Sequence, residues 1–304
     1  MKLIFATRPS ALARWQTQWV IAALQKAHPN LVCEEKVIIT QGDKNLDKPL
    51  SEIGGKGLFT QELENGLLSG EVHCAVHSLK DLPVENLTGL TVGCIPARAE
   101  VRDVLVSAGS YSLETLPPAS VVGTSSLRRM AQILHSRPDV SIKTLRGNVD
   151  TRIRKAQERQ YDAIILAGAG LIRLGLEGHI SQWLSIDVML PAPGQGALGI
   201  QCRADDTETR ALLSVLEDVP TRLAVTAERK FLQSLGGGCA VPVAAYANAS
   251  NGIINLTGCV TSIDGNKLIK VTAGGTDPLM LGEKLALEAI RQGADEIIKS
   301  VQGN

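Results

Sequence analysis

Aromatic residues are scarce in this chain: its 304 residues include 3 tryptophans, 3 tyrosines and 3 phenylalanines. Proteins that bind single-stranded nucleic acid stack the bases on aromatic side chains, so this composition argues against nucleic acid as a partner. Net charge is also missing, because 31 basic residues balance 31 acidic ones. We therefore expect no overall electrostatic field that would attract nucleic acid or an anionic membrane.

Long apolar runs are absent as well, and Arg8 interrupts the short apolar run at the N-terminus. The sequence thus predicts a protein with neither a signal peptide nor a membrane-spanning segment. The 6 cysteines include no CxxC pair, and the 5 histidines show no metal-ligand spacing. We expect a reduced, cytoplasmic protein without a disulfide framework or a metal site.

What the sequence does contain is an alternation of short apolar runs and helical patterns. This alternation predicts an α/β fold with mainly parallel sheets covered by helices. Ser10 is a candidate N-cap for the first helix. Strands are predicted at residues 3–6, 36–39, 74–76, 121–122, 142–145 and 163–166. Helices are predicted at residues 59–68 and 126–136, and from about residue 149.

The last part of the chain has a different pattern, which predicts a small α+β domain. A helix is expected at residues 221–234 and another at 279–291. Between them come predicted strands at residues 243–246, 253–260 and 268–272, separated by Asn-Gly and Asp-Gly turn signals. Residues 96–102 and 191–196 look like connections, and we see no internal repeat. We therefore predict three domains: residues 1–96 with 197–215, residues 102–191, and residues 219–304.

Cys239 stands at the end of a run of three glycines, Gly236-Gly237-Gly238. Glycine opens backbone angles that are closed to other residues, so the run favours a tight loop that displays the thiol. A displayed thiol can act as a nucleophile or as an attachment point. A flexible turn with an incidental cysteine explains the run equally well.

Arginines follow three of the predicted strands. Arg128 and Arg129 stand at the start of a predicted helix, where positive side chains are unfavourable unless an anion binds there. Arg146 and Arg152 repeat this arrangement, and Arg173 follows a further strand. Open α/β sheets bind ligands at the carboxyl ends of their strands, and arginine suits carboxylates. A solvated basic face explains any one arginine, but the three clusters together favour an anion site.

Asp81 follows a predicted buried strand, beside Lys80 and ahead of Pro83. The two charged residues could form a local ion pair. Alternatively, Asp81 presents a fixed carboxylate that stabilises a developing positive charge. The glycine-rich loop with Lys56 lacks the spacing and the hydroxyl residue of a nucleotide-binding P-loop, so we do not expect it to bind a nucleotide.

Taken together, these motifs resemble the porphobilinogen deaminase family, also called hydroxymethylbilane synthase, over essentially the whole chain. The resemblance is carried by Thr7-Arg8 with Ser10, Gly54-Gly55-Lys56-Gly57-Leu58-Phe59, His77-Ser78-Leu79-Lys80-Asp81-Leu82-Pro83, Gly123-Thr124-Ser125-Ser126-Leu127-Arg128-Arg129, Leu145-Arg146-Gly147-Asn148 and Gly237-Gly238-Cys239. Each motif alone is weak, whereas all of them in this order are specific.

The resemblance implies a dipyrromethane cofactor joined by a thioether to Cys239, with Asp81 as the catalytic carboxylate. Implied cofactor-binding residues are Lys80, Asp81, Thr124, Ser126, Arg128, Arg129, Arg146 and Arg152. Implied substrate-binding residues are Arg8, Ser10, Gln16, Lys56, Arg146, Arg152 and Arg173. It also implies a monomer whose first two domains are similar to periplasmic binding proteins. The implied reaction joins four porphobilinogen molecules head to tail with loss of ammonia, and hydrolysis then releases the linear tetrapyrrole.

Three positions depart from the family pattern. Arg14 replaces an apolar residue, Gln41 replaces a frequent arginine, and Ala240 replaces a polar residue. Of these, Gln41 could loosen the binding of the substrate or the growing chain. Two other functions remain open: a non-catalytic two-domain protein that binds a carboxylated ligand, and a cysteine-nucleophile hydrolase, which the histidine pattern supports poorly.

Overall fold

The computed structural model describes residues 2–44, 57–85, 87–237 and 241–302. The chain divides into two compact units, one comprising Met1–Ala99 and Gly196–Arg222 and the other Glu100–Gln195 and Leu223–Asn304. Two of the boundaries, after Ala99 and after Gln195, fall in the segments that the sequence marks as connections. The finer division into three domains stays a prediction.

Strands and helices alternate along most of the chain. Within the described residues the strands are β1 (Lys2–Thr7), β2 (Val32–Val37), β3 (Cys74–Ser78), β4 (Leu90–Cys94), β5 (Asp103–Val106), β6 (Val121–Gly123), β7 (Ser141–Lys143), β8 (Ala163–Ala167), β9 (Gln182–Trp183), β10 (Leu198–Arg203), β11 (Val243–Ser250), β12 (Ile253–Thr261) and β13 (Leu268–Gly275). The helices are α1 (Ala11–Ala27), α2 (Gln41–Lys44), α3 (Gln61–Leu68), α4 (Leu127–Ser136), α5 (Val149–Gln157), α6 (Gly168–Leu174), α7 (Thr207–Leu213), α8 (Val219–Ser234), α9 (Pro278–Arg291) and α10 (Ala294–Gln302).

The first unit is built on a five-stranded sheet with the order β2-β1-β3-β10-β4. Strand β1 pairs in parallel with β2 and β3, while β10 runs antiparallel to β3 and β4. Four strands therefore share one direction and β10 opposes them. Helix α1 begins after Ser10, whose Oγ accepts a hydrogen bond from the Ala13 N–H at 3.3 Å. Its residues Val20 and Leu24 are buried in one apolar cluster with Phe5 of β1.

Strand β2 begins earlier than the strand predicted at residues 36–39, so that prediction was wrong in position. The observed strand pairs with β1 from Lys2 opposite Val32 to Thr7 opposite Val37. As an edge strand it exposes Val32 and Glu34, and this mixture of apolar and polar residues hides the alternation that marks a half-buried strand. The prediction followed the apolar run at its C-terminal end instead.

The second unit contains a sheet with the same topology, although the sequence shows no internal repeat. Its order is β7-β6-β8-β5-β9, with β6 parallel to β7 and β8, and β5 antiparallel to β8 and β9. Both sheets thus have three adjacent parallel strands, then one antiparallel strand, then an edge strand. The predicted α/β architecture with mainly parallel sheets is confirmed.

The C-terminal part forms a three-stranded antiparallel sheet, β11-β12-β13, against which α8, α9 and α10 pack. Asn251 and Gly252 in its first turn have φ angles of 53° and 75°, the left-handed values that a type I′ hairpin requires. Phe231 of α8 is fully buried against Gly258, where a Cβ would lie 2.3 Å from the ring. The predicted α+β segment is confirmed, but the final helix α10 was not predicted.

Two negative findings concern the part of the chain that the structure describes. No helix in that part is both long enough and apolar enough to cross a membrane. Nor does that part contain a group of three or more histidine, cysteine, aspartate or glutamate side chains arranged to hold a metal ion.

Candidate active site

Strand β3 leads into a short 3₁₀ turn that carries Lys80 and Asp81. Leu79 and Leu82 are buried on either side of these two residues. The Leu79 N–H also donates to the Ala197 carbonyl at 3.0 Å, which ties the turn to the segment before β10. Because leucines anchor both ends, the turn is held in place while the Asp81 side chain stays exposed.

Gln16 supports the same strand end from helix α1. It is 3% exposed, and its Nε2 donates to Ser78 Oγ at 2.9 Å. Ser10 caps the start of that helix. Both residues are expected to bind substrate, and both have a structural contact within the first unit. Their substrate contacts stay predictions.

A buried polar chain runs behind the turn, from His77 through Gln201 to Glu64. His77 Nε2 lies 3.1 Å from Gln201 Oε1, and Gln201 Nε2 donates to Glu64 Oε1 at 3.0 Å. With the amide assigned in this orientation, the imidazole carries its proton on Nε2. Burial lowers the pKa of His77 to about 4, so the ring is neutral near neutral pH.

Arg8 follows β1 and lies between a carboxylate and an aromatic ring. Its Nε and Nη2 donate to the two carboxylate oxygens of Asp43 at 3.2 and 2.5 Å, and its guanidinium lies 4.2 Å from the centre of the Phe59 ring. Burial alone would raise the pKa of Asp43, but the hydrogen bonds and the charge of Arg8 lower it below its ordinary value. A substrate carboxylate at Arg8 would therefore share the guanidinium with Asp43.

In the second unit, the loop after β6 leads directly into helix α4. Ser126 is the N-cap of this helix, and its Oγ accepts from the Arg129 N–H at 3.4 Å. Thr124 Oγ1 accepts from the Ser126 N–H at 3.1 Å, and Ser125 Oγ donates to the Leu145 carbonyl at 2.6 Å. The predicted helix start is confirmed, and the Ser125 contact joins this loop to the loop after β7.

Arg128 and Arg129 are buried and share one internal carboxylate. They are 4% and 6% exposed, and Asp103 is 0% exposed. Arg128 Nη1 lies 2.8 Å from Asp103 Oδ2, while Arg129 donates to Asp103 Oδ1 from Nη2 at 2.7 Å and from Nε at 3.1 Å. Backbone carbonyls accept further bonds: Leu190 from Arg128 Nη1 at 2.7 Å and Ile165 from Arg129 Nη1 at 3.1 Å.

This cluster retains an excess of positive charge, because two guanidinium groups face one carboxylate. Among the described residues, the Nε atom of Arg128 is buried and has no hydrogen-bond partner. A buried donor left unpaired costs about 1–3 kcal/mol, so the arrangement favours one more acceptor with negative charge. These two arginines can therefore hold an anion in addition to Asp103.

The remaining candidate arginines follow neighbouring strands of the same sheet. Arg152 on α5 donates from Nε to the Gly147 carbonyl at 2.7 Å. Gly147 has a φ of 117°, a conformation that favours glycine in the loop between Arg146 and the helix. Burial lowers the pKa of Arg173, on α6, to about 10, which leaves it charged at neutral pH. Strands β7, β6 and β8 are parallel neighbours, so the three clusters follow strands that end at one edge of the sheet.

Gly236 and Gly237, which precede Cys239, terminate helix α8. Gly236 has a φ of 68°, and the N–H groups of Gly236 and Gly237 donate to the carbonyls of Gln233 and Leu232 at 2.9 and 3.1 Å. This pair of bonds is a Schellman motif, which terminates a helix through a left-handed glycine. A Cβ on Gly237 would lie 2.7 Å from the Leu232 side chain. Two of the three glycines thus have local structural roles.

Two of the candidate site residues, Cys239 and Lys56, lie outside the described residues. The described cysteines are Cys33, Cys74, Cys94, Cys202 and Cys259, and all of them are free. Burial raises the pKa of each of these thiols, to about 12 for Cys94 and about 11 for Cys202. They are therefore poor nucleophiles at neutral pH.

Sequence reasoning missed the residues that support the site from within. Asp103 precedes the apolar run Val104-Leu105-Val106, where a charged residue needs a partner if the run is buried, but strand β5 was not predicted and the signal was missed. Gln132, whose amide exchanges hydrogen bonds with the Leu190 backbone at 2.8 and 3.1 Å, gave no such signal. Gln201 gave none either, since it stands in a short strand that was not predicted.

Comparisons with known proteins agree with the sequence motifs. The family model described as "Porphobilinogen deaminase, dipyromethane cofactor binding domain" matches residues 3–211, and the model of the C-terminal domain of porphobilinogen deaminase matches residues 222–291. A porphobilinogen deaminase of Brevibacillus brevis is 53% identical over 97% of this chain and 96% of its own. One of Geobacillus kaustophilus is 48% identical over 99% and 97%. Among solved structures, the methionine-binding protein MetQ gives a TM-score of 0.46 at 11% identity over 73% of this chain and 92% of that chain.

The buried state of His77 predicts acid sensitivity. Because the pKa of His77 falls from 6.5 to about 4 on folding, the unfolded chain binds a proton that the folded chain does not. The free energy of unfolding should therefore decrease as the pH falls from 6.5 to 4, by up to about 3 kcal/mol. His77→Gln should remove this part of the decrease in the free energy of unfolding. Urea unfolding of both proteins between pH 4 and pH 7 measures it.

His179→Gln, at the surface of the second unit, is the control and should keep the wild-type pH dependence. Equal pH dependence in His77→Gln and the wild type would show that His77 does not titrate with folding.

The close packing at Gly237 predicts a second effect. Gly237→Ala should lower the free energy of unfolding by about 1–3 kcal/mol, because the new methyl group overlaps the side chains of Leu232 and Val241. Gly178→Ala is the matched control, since no atom lies within 4 Å of the methyl group that it adds. Chemical denaturation of both variants measures the difference, and equal stability would contradict the packing argument.

Proposed function

The chain belongs to the porphobilinogen deaminase family, and from this we propose that it is a hydroxymethylbilane synthase, a transferase of tetrapyrrole biosynthesis. It condenses four porphobilinogen molecules head to tail on a dipyrromethane cofactor, releases one ammonia at each step, and then hydrolyses off the linear tetrapyrrole. The observation that carries this proposal is the similarity over nearly the full length to relatives of that name. The same similarity does not support the alternative function, a non-catalytic protein that binds a carboxylated ligand.

The described residues fit a cofactor that carries carboxylates. Each pyrrole of dipyrromethane bears an acetate and a propionate, and the buried Arg128–Arg129 pair has one charge more than Asp103 balances. The unpaired Arg128 N–H can donate to such a carboxylate. When bound, the cofactor supplies the pyrrole carbon to which the first substrate is joined. We propose that its carboxylates are held by Lys80, Thr124, Ser126, Arg128, Arg129, Arg146 and Arg152.

Cys239 is our candidate for the attachment of the cofactor. A thioether requires a nucleophilic thiol, and burial raises the pKa of every described cysteine. The Schellman motif at Gly236 and Gly237 ends helix α8 two residues before Cys239.

For the substrate we propose a second set of contacts. The proposed substrate-binding residues are Arg8, Ser10, Gln16, Lys56, Arg146, Arg152 and Arg173. Porphobilinogen carries two carboxylates, so several cations are needed for each pyrrole of the growing chain. Asp43 and Phe59 fix the guanidinium of Arg8, which reduces the entropy lost when a carboxylate binds.

Asp81 is the proposed catalytic residue. Loss of ammonia from the aminomethyl group and formation of the new carbon–carbon bond both place positive charge on a pyrrole nitrogen. A carboxylate held near that N–H stabilises the transition state more than the neutral ground state. The Asp81 side chain is exposed on a turn anchored by the buried Leu79 and Leu82, which supports this role.

The reaction is tested by adding porphobilinogen to the purified protein and measuring ammonia and tetrapyrrole together. We expect four ammonia molecules for each linear tetrapyrrole. A protein that binds porphobilinogen but releases no ammonia would be a binding protein, which would contradict the proposal. A cytoplasmic location and a monomeric state remain predictions, and sedimentation analysis would test the latter.

The role of Asp81 gives a sharper prediction. Asp81→Ala should fold and bind substrate but lose on the order of 10²–10³ in kcat, as expected when a preorganised charge at a transition state is removed. Asp81→Glu keeps the charge and should retain part of the activity. Single-turnover ammonia release measures the chemical step, and circular dichroism checks the fold. Near wild-type turnover by folded Asp81→Ala would assign the role to another group.

A further inference from the structure

Asp103 has no direct role in the proposed reaction, yet it lies at the centre of the arginine cluster. It is the first residue of β5 and is 0% exposed. Besides the two arginines, Gln195 Nε2 donates to its Oδ1 at 3.0 Å. Three side chains, two from the start of α4 and one from the segment before β10, therefore converge on one carboxylate.

The charge of Asp103 is what allows two arginines to stand side by side there. Arg128 and Arg129 occupy the first turn of α4, where the helix dipole already disfavours positive charge. Burial alone would raise the pKa of Asp103, but the charges of Arg128 and then Arg129 lower it far below its ordinary value. The carboxylate is thus ionised at any working pH, and the cluster has one net positive charge.

The orientation of Arg128 is also set by its surroundings. Its Nη1 lies between Asp103 and the Leu190 carbonyl, at 2.8 and 2.7 Å. Gln132, one turn along the same helix, binds both the N–H and the carbonyl of Leu190 and so fixes that acceptor. A guanidinium held on one side in this way presents its remaining N–H groups in a constant direction.

We propose that Asp103 is a positioning residue, which aligns Arg128 and Arg129 and leaves them with a single net charge, so that the pair receives one carboxylate of a bound pyrrole. This inference rests on the proposed function. It explains a feature that stability does not require, since a buried ion pair is often no more stabilising than apolar residues of similar volume. The two arginines and Asp103 together have a net positive charge, which is balanced only when an anionic ligand binds.

The test compares Asp103→Asn with Asp139→Asn. Asparagine has nearly the shape of aspartate but lacks the charge, so the arginines lose their alignment. We expect a lower fraction of protein carrying the cofactor by intact mass and, for the loaded fraction, a KM for porphobilinogen raised about 10-fold or more. The kcat of that fraction should change much less, in contrast to Asp81→Ala. Asp139 forms a surface ion pair with Arg137, and its variant should match the wild type in all three quantities.

A purely structural role for Asp103 gives a different result. The melting temperature would fall, while the KM and the cofactor content of the protein that remains folded would stay at wild-type values, and this would overturn the inference. Failure of the wild-type protein to release ammonia would instead reject the proposed function, so the two failures are distinguishable.

A milder variant keeps the inference testable if Asp103→Asn does not fold. Gln195→Met removes the hydrogen bonds from Gln195 Nε2 to Asp103 and to the Val101 carbonyl, and it leaves both charge pairs in place. It should fold, lose part of the cofactor content and raise the KM by a factor of about 2–5, less than Asp103→Asn does, because both charge pairs remain. Unchanged KM and cofactor content in folded Gln195→Met would contradict the positioning role of Asp103.

Discussion

The second unit must accommodate two adjacent arginines, Arg128 and Arg129, which are buried at the start of helix α4. A guanidinium has several N–H donors and no acceptor, so each of the two requires hydrogen-bond acceptors wherever it is placed. Asp103 supplies the charge, while the Leu190 and Ile165 carbonyls supply the remaining acceptors. These partners come from β5, from β8 and from the segment that follows β9, so the cluster joins several strands of the sheet to α4. One positive charge remains unbalanced, and this excess charge is the basis for the proposed binding of a carboxylate.

In the first unit, the Asp81 carboxylate is held at the surface of the protein. The leucines on either side of Lys80 and Asp81 are buried and anchor the turn, so Asp81 itself can stay exposed. Behind the turn, the polar chain from His77 to Glu64 is fully contained in the core, and it couples the end of β3 to β10 and α3. The turn that carries the proposed catalytic carboxylate thus has a network of buried polar groups behind it.

Local signals in the sequence predicted much of this site. Ser126 as an N-cap, the arginines after three strands and the charged turn after β3 all follow from residues close together in the chain. The partners of those residues could not be predicted in the same way. Asp103 meets Arg128 through the antiparallel strand β5, which is short and was not predicted. Gln201 meets His77 through β10, which was not predicted either.

Edge strand β2 was misplaced because its polar residues obscure the apolar alternation. Gly236 and Gly237 of the glycine run terminate helix α8, whereas the sequence pattern did not indicate the close approach of Gly237 to Leu232.

We propose that this chain carries a dipyrromethane cofactor on Cys239, and the intact mass of the purified protein tests this proposal. We expect a mass that exceeds the sequence mass by one dipyrromethane unit, and we expect Cys239→Ser to lose both this excess and the activity. Cys259→Ser, which changes one of the buried thiols, should keep both. A fully active protein with the unmodified sequence mass, or an excess that persists in Cys239→Ser, would contradict the claim.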